Sequence, residues 1–183
     1  MKILFINGSP HETGHCKRAI SIMSEVFSEQ NIATHEYSVS HFLPNGCRAC
    51  GGCRSGGGCI LGDLGEVSEA FLKSDGIVVA APVYYGSPTG SVISFLDRLF
   101  QSAKFDKRMK VGAAFVTARR GGCTASFDVL NKYFSISEMP IATSSYWNMM
   151  HTAGDSEGEA TARTLALNMA ALIKYISRGR EAE

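Results

Sequence analysis

The sequence predicts a doubly wound α/β domain: a five-stranded parallel sheet in the order 2-1-3-4-5, covered by helices on both faces as a three-layer α/β/α stack. Three observations lead there. Apolar runs rich in β-branched residues recur along the chain, and segments with helical spacing lie between them. Several of the runs are unbroken rather than alternating, as strands buried on both faces require. The length of 183 residues fits a single domain spanning 1–183. A chain of this size buries roughly 70% of its unfolded surface, so it needs no disulfide to fold.

The first strand is read at 2–7, where Ile3-Leu4-Phe5-Ile6 is continuously apolar. A helix follows at 16–30, with Ala19, Ile20, Met23, Val26 and Phe27 on one face. The second strand is placed at 33–39 and the third at 76–81, the latter carrying Ile77-Val78-Val79-Ala80-Ala81. Between them, at about 41–63, a glycine- and cysteine-dense loop stands where a short strand-to-helix turn would suffice; a loop this long is usually functional or disordered. The helix at 88–103 aligns Val92, Phe95, Leu96 and Leu99. A fourth strand at 110–117, a helix at 126–134, a fifth strand at 140–147 and a helix at 157–177 complete the pattern. In a sheet of this order the ligand crevice lies at the carboxyl ends of the first and third strands.

Composition narrows the partners. Eighteen Lys and Arg against seventeen Asp and Glu give a net charge of +1, which argues against nucleic acid and against an anionic membrane surface. The apolar run at 3–6 is too short for a signal-peptide core, and nothing approaches the ~18 residues of a membrane span. A cytoplasmic, reducing compartment is therefore expected, where clustered cysteines read as metal-binding or redox-active.

The loops at the carboxyl edge carry the chemistry. The first strand runs through Asn7-Gly8-Ser9-Pro10-His11-Glu12-Thr13-Gly14-His15-Cys16 into a helix. Small and hydroxyl residues there let N–H and O–H groups converge on an anion at the positive helix end. The loop has neither the G-x-G-x-x-G fingerprint nor a Lys-Ser/Thr ending, so a single phosphate suits it better than a dinucleotide or a P-loop nucleotide. Taken alone it is equally an ordinary glycine-rich turn. The third strand leads into Pro82-Val83-Tyr84-Tyr85-Gly86, whose two tyrosines are placed either to lie against a planar ligand or to pack on neighbouring loops. After the fourth strand, Thr117-Ala118-Arg119-Arg120-Gly121-Gly122 offers cations and exposed amides. Ser9 is no hydrolase nucleophile, since no G-x-S-x-G elbow surrounds it.

Cys47, Cys50, Cys53 and Cys59 form C-x2-C-x2-C-x5-C among six glycines. Such compact stepping lets a short chain wrap a cubic [4Fe-4S] cluster, with amides left to donate to sulfur. Structural zinc more often divides its ligands into two separated pairs. Cys16, at a helix start, is open to two readings, a thiol of lowered pKa or a small buried residue.

Taken together, Asn7-Gly8-Ser9-Pro10, the segment Ala81 through Gly90, Phe95-Leu96-Asp97-Arg98 and Tyr146-Trp147-Asn148-Met149-Met150-His151 resemble the NADPH-dependent FMN reductase group of the flavodoxin-like superfamily. The cysteine spacing is similar to its iron-sulfur flavoprotein branch. The resemblance runs from residue 1 to about 151 and is most specific at the tyrosine loop. It departs at Gly14-His15-Cys16, where members commonly read Gly-Asn-Ser/Thr, and at Ile93, where Lys is usual.

What the resemblance implies is a flavodoxin-like fold with an FMN phosphate on Ser9, Pro10, His11, Thr13, Gly14, His15 and Cys16. The ring would lie against Pro82, Val83, Tyr84, Tyr85 and Gly86, with Thr117, Arg120, Gly121 and Gly122 at its edge and Trp147 near the flavin or a subunit contact. The activity it implies is hydride transfer from NADH or NADPH to FMN and on to a flavin, quinone or redox-protein acceptor, with no side chain needed as acid or base. The alternative is an electron carrier that holds FMN and a [4Fe-4S] cluster on the four cysteines and exchanges electrons with ferredoxin; a zinc-binding module is a third reading. A homodimer or homotetramer is also implied.

Overall fold

The computed structural model describes residues 1–42, 45–62, 64–151 and 154–181. Parallel strands β1 (Lys2–Asn7), β2 (Ala33–Ser38), β3 (Gly76–Tyr84), β5 (Val111–Thr117) and β6 (Met149–Met150) pair in the order β2-β1-β3-β5-β6. A two-residue strand β4 (Ser87–Pro88) folds back antiparallel on β3. Setting β4 aside, this is the expected 2-1-3-4-5 order.

Helices α1 (His15–Glu29) and α5 (Ser156–Glu181) cover one face of the sheet. Helices α2 (Gly65–Leu72), α3 (Gly90–Ser102) and α4 (Cys123–Ile136) cover the other. The unbroken apolar runs follow from this arrangement. Successive residues of a strand point to opposite faces, so Ile3, Phe5, Val78 and Ala80 enter the core under α1 and α5. Their neighbours Leu4, Ile6, Ile77 and Val79 enter the core under α2, α3 and α4. Full burial of each large aliphatic side chain stabilises the fold by roughly 1.5–3 kcal/mol.

Two readings of the sequence need correction. The stretch 140–147 is not the fifth strand: within it only Ile141 bridges Gly112, and the strand itself is β6, which pairs Met149 with Val116 and Met150 with Thr117. The β-branched residues there are outcompeted by local hydrogen bonds. The Ser144 hydroxyl, whose single proton serves either acceptor, lies 2.6 Å from the Tyr146 carbonyl and 2.7 Å from Asn148 Oδ1, turning the chain before it can pair. The second correction adds α2, whose eight residues bury only Val67 and Phe71, one turn apart. Within the predicted loop insertion, positions 43, 44 and 63 lie outside the described residues, as do 152, 153, 182 and 183 of the domain span.

Candidate functional site

The carboxyl edge of β1, β3 and β5 brings three predicted loops into contact. Gly8 crosses β3 so closely that its N–H donates to the Ala80 carbonyl at 2.8 Å, and a Cβ there would sit 2.2 Å from Val92 Cγ2. Asn7 then holds the loop: its Oδ1 accepts from the Ser9 N–H (3.1 Å), and its Nδ2 donates to Glu36 Oε1 (2.9 Å). Ser9 is buried, and its hydroxyl oxygen accepts from the His11 N–H at 3.1 Å. Pro10, His11, Thr13 and Gly14 are exposed and His15 half-buried. Gly14 caps α1 with no side-chain bond of its own to the first-turn amides, a helix start of the kind that receives an anion.

Cys16 faces inward. Its side chain is only 2% exposed, and its sulfur lies 3.2 Å from Thr117 Oγ1 on β5. Burial pushes the thiol pKa up to about 11, with the Thr117 hydrogen bond opposing weakly. The reading of a lowered pKa therefore gives way to that of a buried neutral thiol that ties the first loop to β5. Toward a ligand, Cys16 offers only its backbone N–H.

The tyrosine segment is a tight hairpin. Val83 pairs with Pro88 and Tyr84 with Ser87, across a turn in which Tyr85 (φ 52°) and Gly86 (φ 76°) both have positive φ. Positive φ at both central residues marks a type I′ turn, unusual for tyrosine. The hairpin leaves Tyr84 half-exposed and Tyr85 entirely exposed. Pro82 accepts from the Thr89 N–H (3.2 Å), and the buried Thr89 hydroxyl approaches the Gly8 carbonyl at 3.5 Å.

The loop after β5 closes against this hairpin. Gly122 has φ 91°, and a Cβ on it would lie 2.7 Å from Gly86 Cα. Gly122 and Thr89 cap α4 and α3 without a side-chain bond to the first-turn amides, as Gly14 does for α1. Arg119, Arg120 and Gly121 are exposed, while Thr117 is buried with its hydroxyl on Cys16. Three helix starts that lack side-chain caps, an outward tyrosine pair and two exposed arginines suit an anion joined to a flat ring. At the β6 end, the rings of Tyr146 and Trp147 lie 4.8 Å apart and line a cavity of about 320 Å³ with His151 and Asp155.

The four loop cysteines all line one cavity of about 240 Å³ beside α3. Among the described residues no three Cys, His, Asp or Glu side chains converge tightly enough to hold one metal ion. A cubane asks for something else, because its four thiolates bind four different irons and so surround a volume rather than a point. Left-handed glycines at 51, 56 and 58 let the short loop turn around that volume. Helix α3 turns one face to it: Gly46 lies over Ser94, Arg98 Nε donates to Cys59 Sγ at 3.3 Å, and Cys53 Sγ lies 3.6 Å from the Gln101 carbonyl. The donor set and the enclosing loop fit an iron-sulfur cluster better than zinc. Sequence reasoning assigned no role to Arg98 or Phe42. The available signal for Arg98 was its place on α3 beside the buried Phe95 and Leu99.

A family model described as NADPH-dependent FMN reductase matches residues 1–154. An "Iron-sulfur flavoprotein" of Methanosarcina thermophila is 29% identical, over 99% of this chain and 100% of its own. Another from Archaeoglobus fulgidus is 31% identical, over 100% and 96%. In three dimensions the chain resembles a flavodoxin from the domain Archaea with a TM-score of 0.68 at 14% identity, covering 95% of this chain and 99% of that one. The fold is flavodoxin-like. Among the described residues no helix is long and apolar enough to cross a membrane.

Proposed function

The chain belongs to the NADPH-dependent FMN reductase family, and from that premise we propose that it is an FMN-containing oxidoreductase taking electrons from NADH or NADPH and passing them to a second acceptor. The observation that carries the reading is the contact of the Tyr84–Tyr85 hairpin with the Gly121-Gly122 loop beside the open amides of α1. When bound, FMN supplies the redox chemistry, accepting a hydride from a nicotinamide and yielding its electrons singly or in pairs.

The protein binds and orients. The Glu12 to Cys16 amides, aided by the exposed Thr13 hydroxyl and the His11 and His15 rings, hold the phosphate, while the Ser9 and His11 amides brace the loop on Asn7 Oδ1 and the Ser9 hydroxyl. Pro82, Val83, Tyr84, Tyr85 and Gly86 hold one face of the ring and shield it from water. The Gly121 and Gly122 amides lie at its edge, and Arg120 offsets negative charge there.

A second reading is favoured by the cysteine cavity: an electron carrier in which Cys47, Cys50, Cys53 and Cys59 hold a [4Fe-4S] cluster that relays single electrons to or from ferredoxin. The full-length similarity to proteins named iron-sulfur flavoproteins supports it. On either reading the exposed Tyr146 and Trp147 suit a contact with a second copy in a homodimer or homotetramer.

Anaerobic isolation, an absorption spectrum, and iron, sulfide, zinc and NAD(P)H-oxidation assays test both. A flavin spectrum with nicotinamide oxidation and no iron supports the reductase, and stoichiometric iron and sulfide without turnover supports the carrier. Colourless protein that does not bind added FMN refutes both, and zinc in place of iron refutes the cluster.

A further inference from the structure

The geometry points to Arg98 as a positioning residue that sets the reduction potential of a cluster held by the loop cysteines, acting through Cys59. The inference rests on the cluster reading above and goes beyond it by assigning one helix side chain the tuning of that group.

Arg98 is 1% exposed, the largest of the fully buried side chains among the described residues. Its guanidinium lies over the Phe42 ring at 4.7 Å, Phe42 meets Phe95 edge-on at 5.2 Å, and Phe95 stacks on Tyr37 at 5.5 Å. That ladder of rings starts on β2 and confines the planar cation. Confinement aims one N–H with little freedom: Nε donates to Cys59 Sγ at 3.3 Å, at the wall of the cysteine cavity. Arginine suits this task, because it stays protonated and its fork is rigid, whereas lysine is a mobile point charge.

Reducing a [4Fe-4S] cluster by one electron adds one negative charge and changes no bond, and in the test dithionite supplies the electron. The added charge spreads onto the thiolate sulfurs. A buried cation with an N–H on one of those sulfurs stabilises the reduced state more than the oxidised one, and so raises the potential. Low dielectric around the buried group strengthens the effect. Cys53 is placed differently, with its sulfur near the neutral Gln101 carbonyl.

The test uses full-length protein loaded with iron and sulfide under anaerobic conditions. Wild type, Arg98→Met and Arg98→Lys are compared by redox titration followed by electron paramagnetic resonance, and by pulsed measurement of exchangeable protons near the reduced cluster. Arg98→Met is expected to make reduction at least tenfold less favourable, about 59 mV lower for one electron, and to remove one exchangeable-proton coupling. Arg98→Lys keeps the cation but lacks the Nε–H, so the coupling also disappears and the potential moves the same way by less. Should Arg98→Met fail to fold, Arg98→Lys decides alone. A loaded cluster with unchanged potential and coupling in the folded variants overturns the inference while leaving the cluster reading standing. Wild-type protein that takes up no iron and sulfide overturns both.

Discussion

Substituting Gly122 by alanine tests whether the tyrosine hairpin and the loop after β5 are held against each other. At φ 91° a side chain is strained whatever the space around it, and an L-residue in the left-handed region costs roughly 1–2 kcal/mol. The new Cβ would also lie 2.7 Å from Gly86 Cα and 3.0 Å from Val83 Cγ1. The first of these is backbone, fixed by pairing on both sides of a two-residue turn, so it cannot yield as a flexible side chain would. Overpacking of this kind typically costs about 1–3 kcal/mol, which brings the expected loss to about 2–5 kcal/mol. For a chain of this size each kcal/mol moves the midpoint by roughly 2–4 °C, so thermal unfolding should shift down by roughly 4–20 °C. Gly121→Ala is the control, because a Cβ there meets nothing within 4 Å. FMN titration followed by fluorescence should show affinity falling more than tenfold in Gly122→Ala and little in Gly121→Ala. Equal midpoints and equal affinities in the two variants would refute the contact as the feature that shapes the site.

Tyr84→Ala removes a half-exposed ring from a hairpin that its backbone alone can maintain, so FMN should bind roughly threefold to tenfold more weakly with an altered absorption band, and unchanged affinity and spectrum would remove Tyr84 from the ring contact. Cys16 makes stability depend on alkaline pH. Its folded pKa of about 11 lies above the 9.0 of an ordinary thiol, so its contribution is complete below pH 9 and lost as pH rises through 11, on the order of 3 kcal/mol at most. Urea unfolding of wild type and Cys16→Ser should therefore converge between those values, and parallel curves would contradict the burial. Ser144→Ala takes a donor from Asn148 Oδ1, on a buried side chain whose Nδ2 already lacks a partner, and should cost about 1–3 kcal/mol in the same assay; a change below 0.5 kcal/mol would remove Ser144 as the cause of the turn before β6.

Much of the fold was legible because its strongest signals are local. The first strand and the first and last long helices were readable to within a few residues, since continuous apolar runs and three-four spacing report two-sided sheets and amphipathic faces directly. The last strand was misplaced because Ile141 and Thr143 carry strand propensity, whereas the deciding interactions are side-chain bonds from Ser144. Helix α2 was missed because one buried pair, Val67 and Phe71, sets no period. At the site, residue types indicated an anion and a planar group. The turn at Tyr85-Gly86, the approach of Gly122 and the inward thiol of Cys16 depend on contacts between distant segments. Arg98 was the least legible, because a charged residue on a helix reads as solvated until the loop that covers it is placed.

Helix α3 serves both halves of the molecule. Its start lies under the tyrosine hairpin, where Thr89 bonds Pro82 and approaches Gly8, and nine residues later Arg98 bonds Cys59. At 1.5 Å per residue those points are about 14 Å apart along one rigid element. Val92, Phe95, Leu96 and Leu99 clamp that element to the sheet. A substitution that merely loosened α3 would therefore disturb both ends, weakening FMN while it changed the cysteine cavity. One that acted only through the Nε to Sγ bond would move the cluster potential and leave FMN affinity where it was. The two measurements made on the same Arg98 variants thus separate tuning from damage, since packing couples the sites and the hydrogen bond does not.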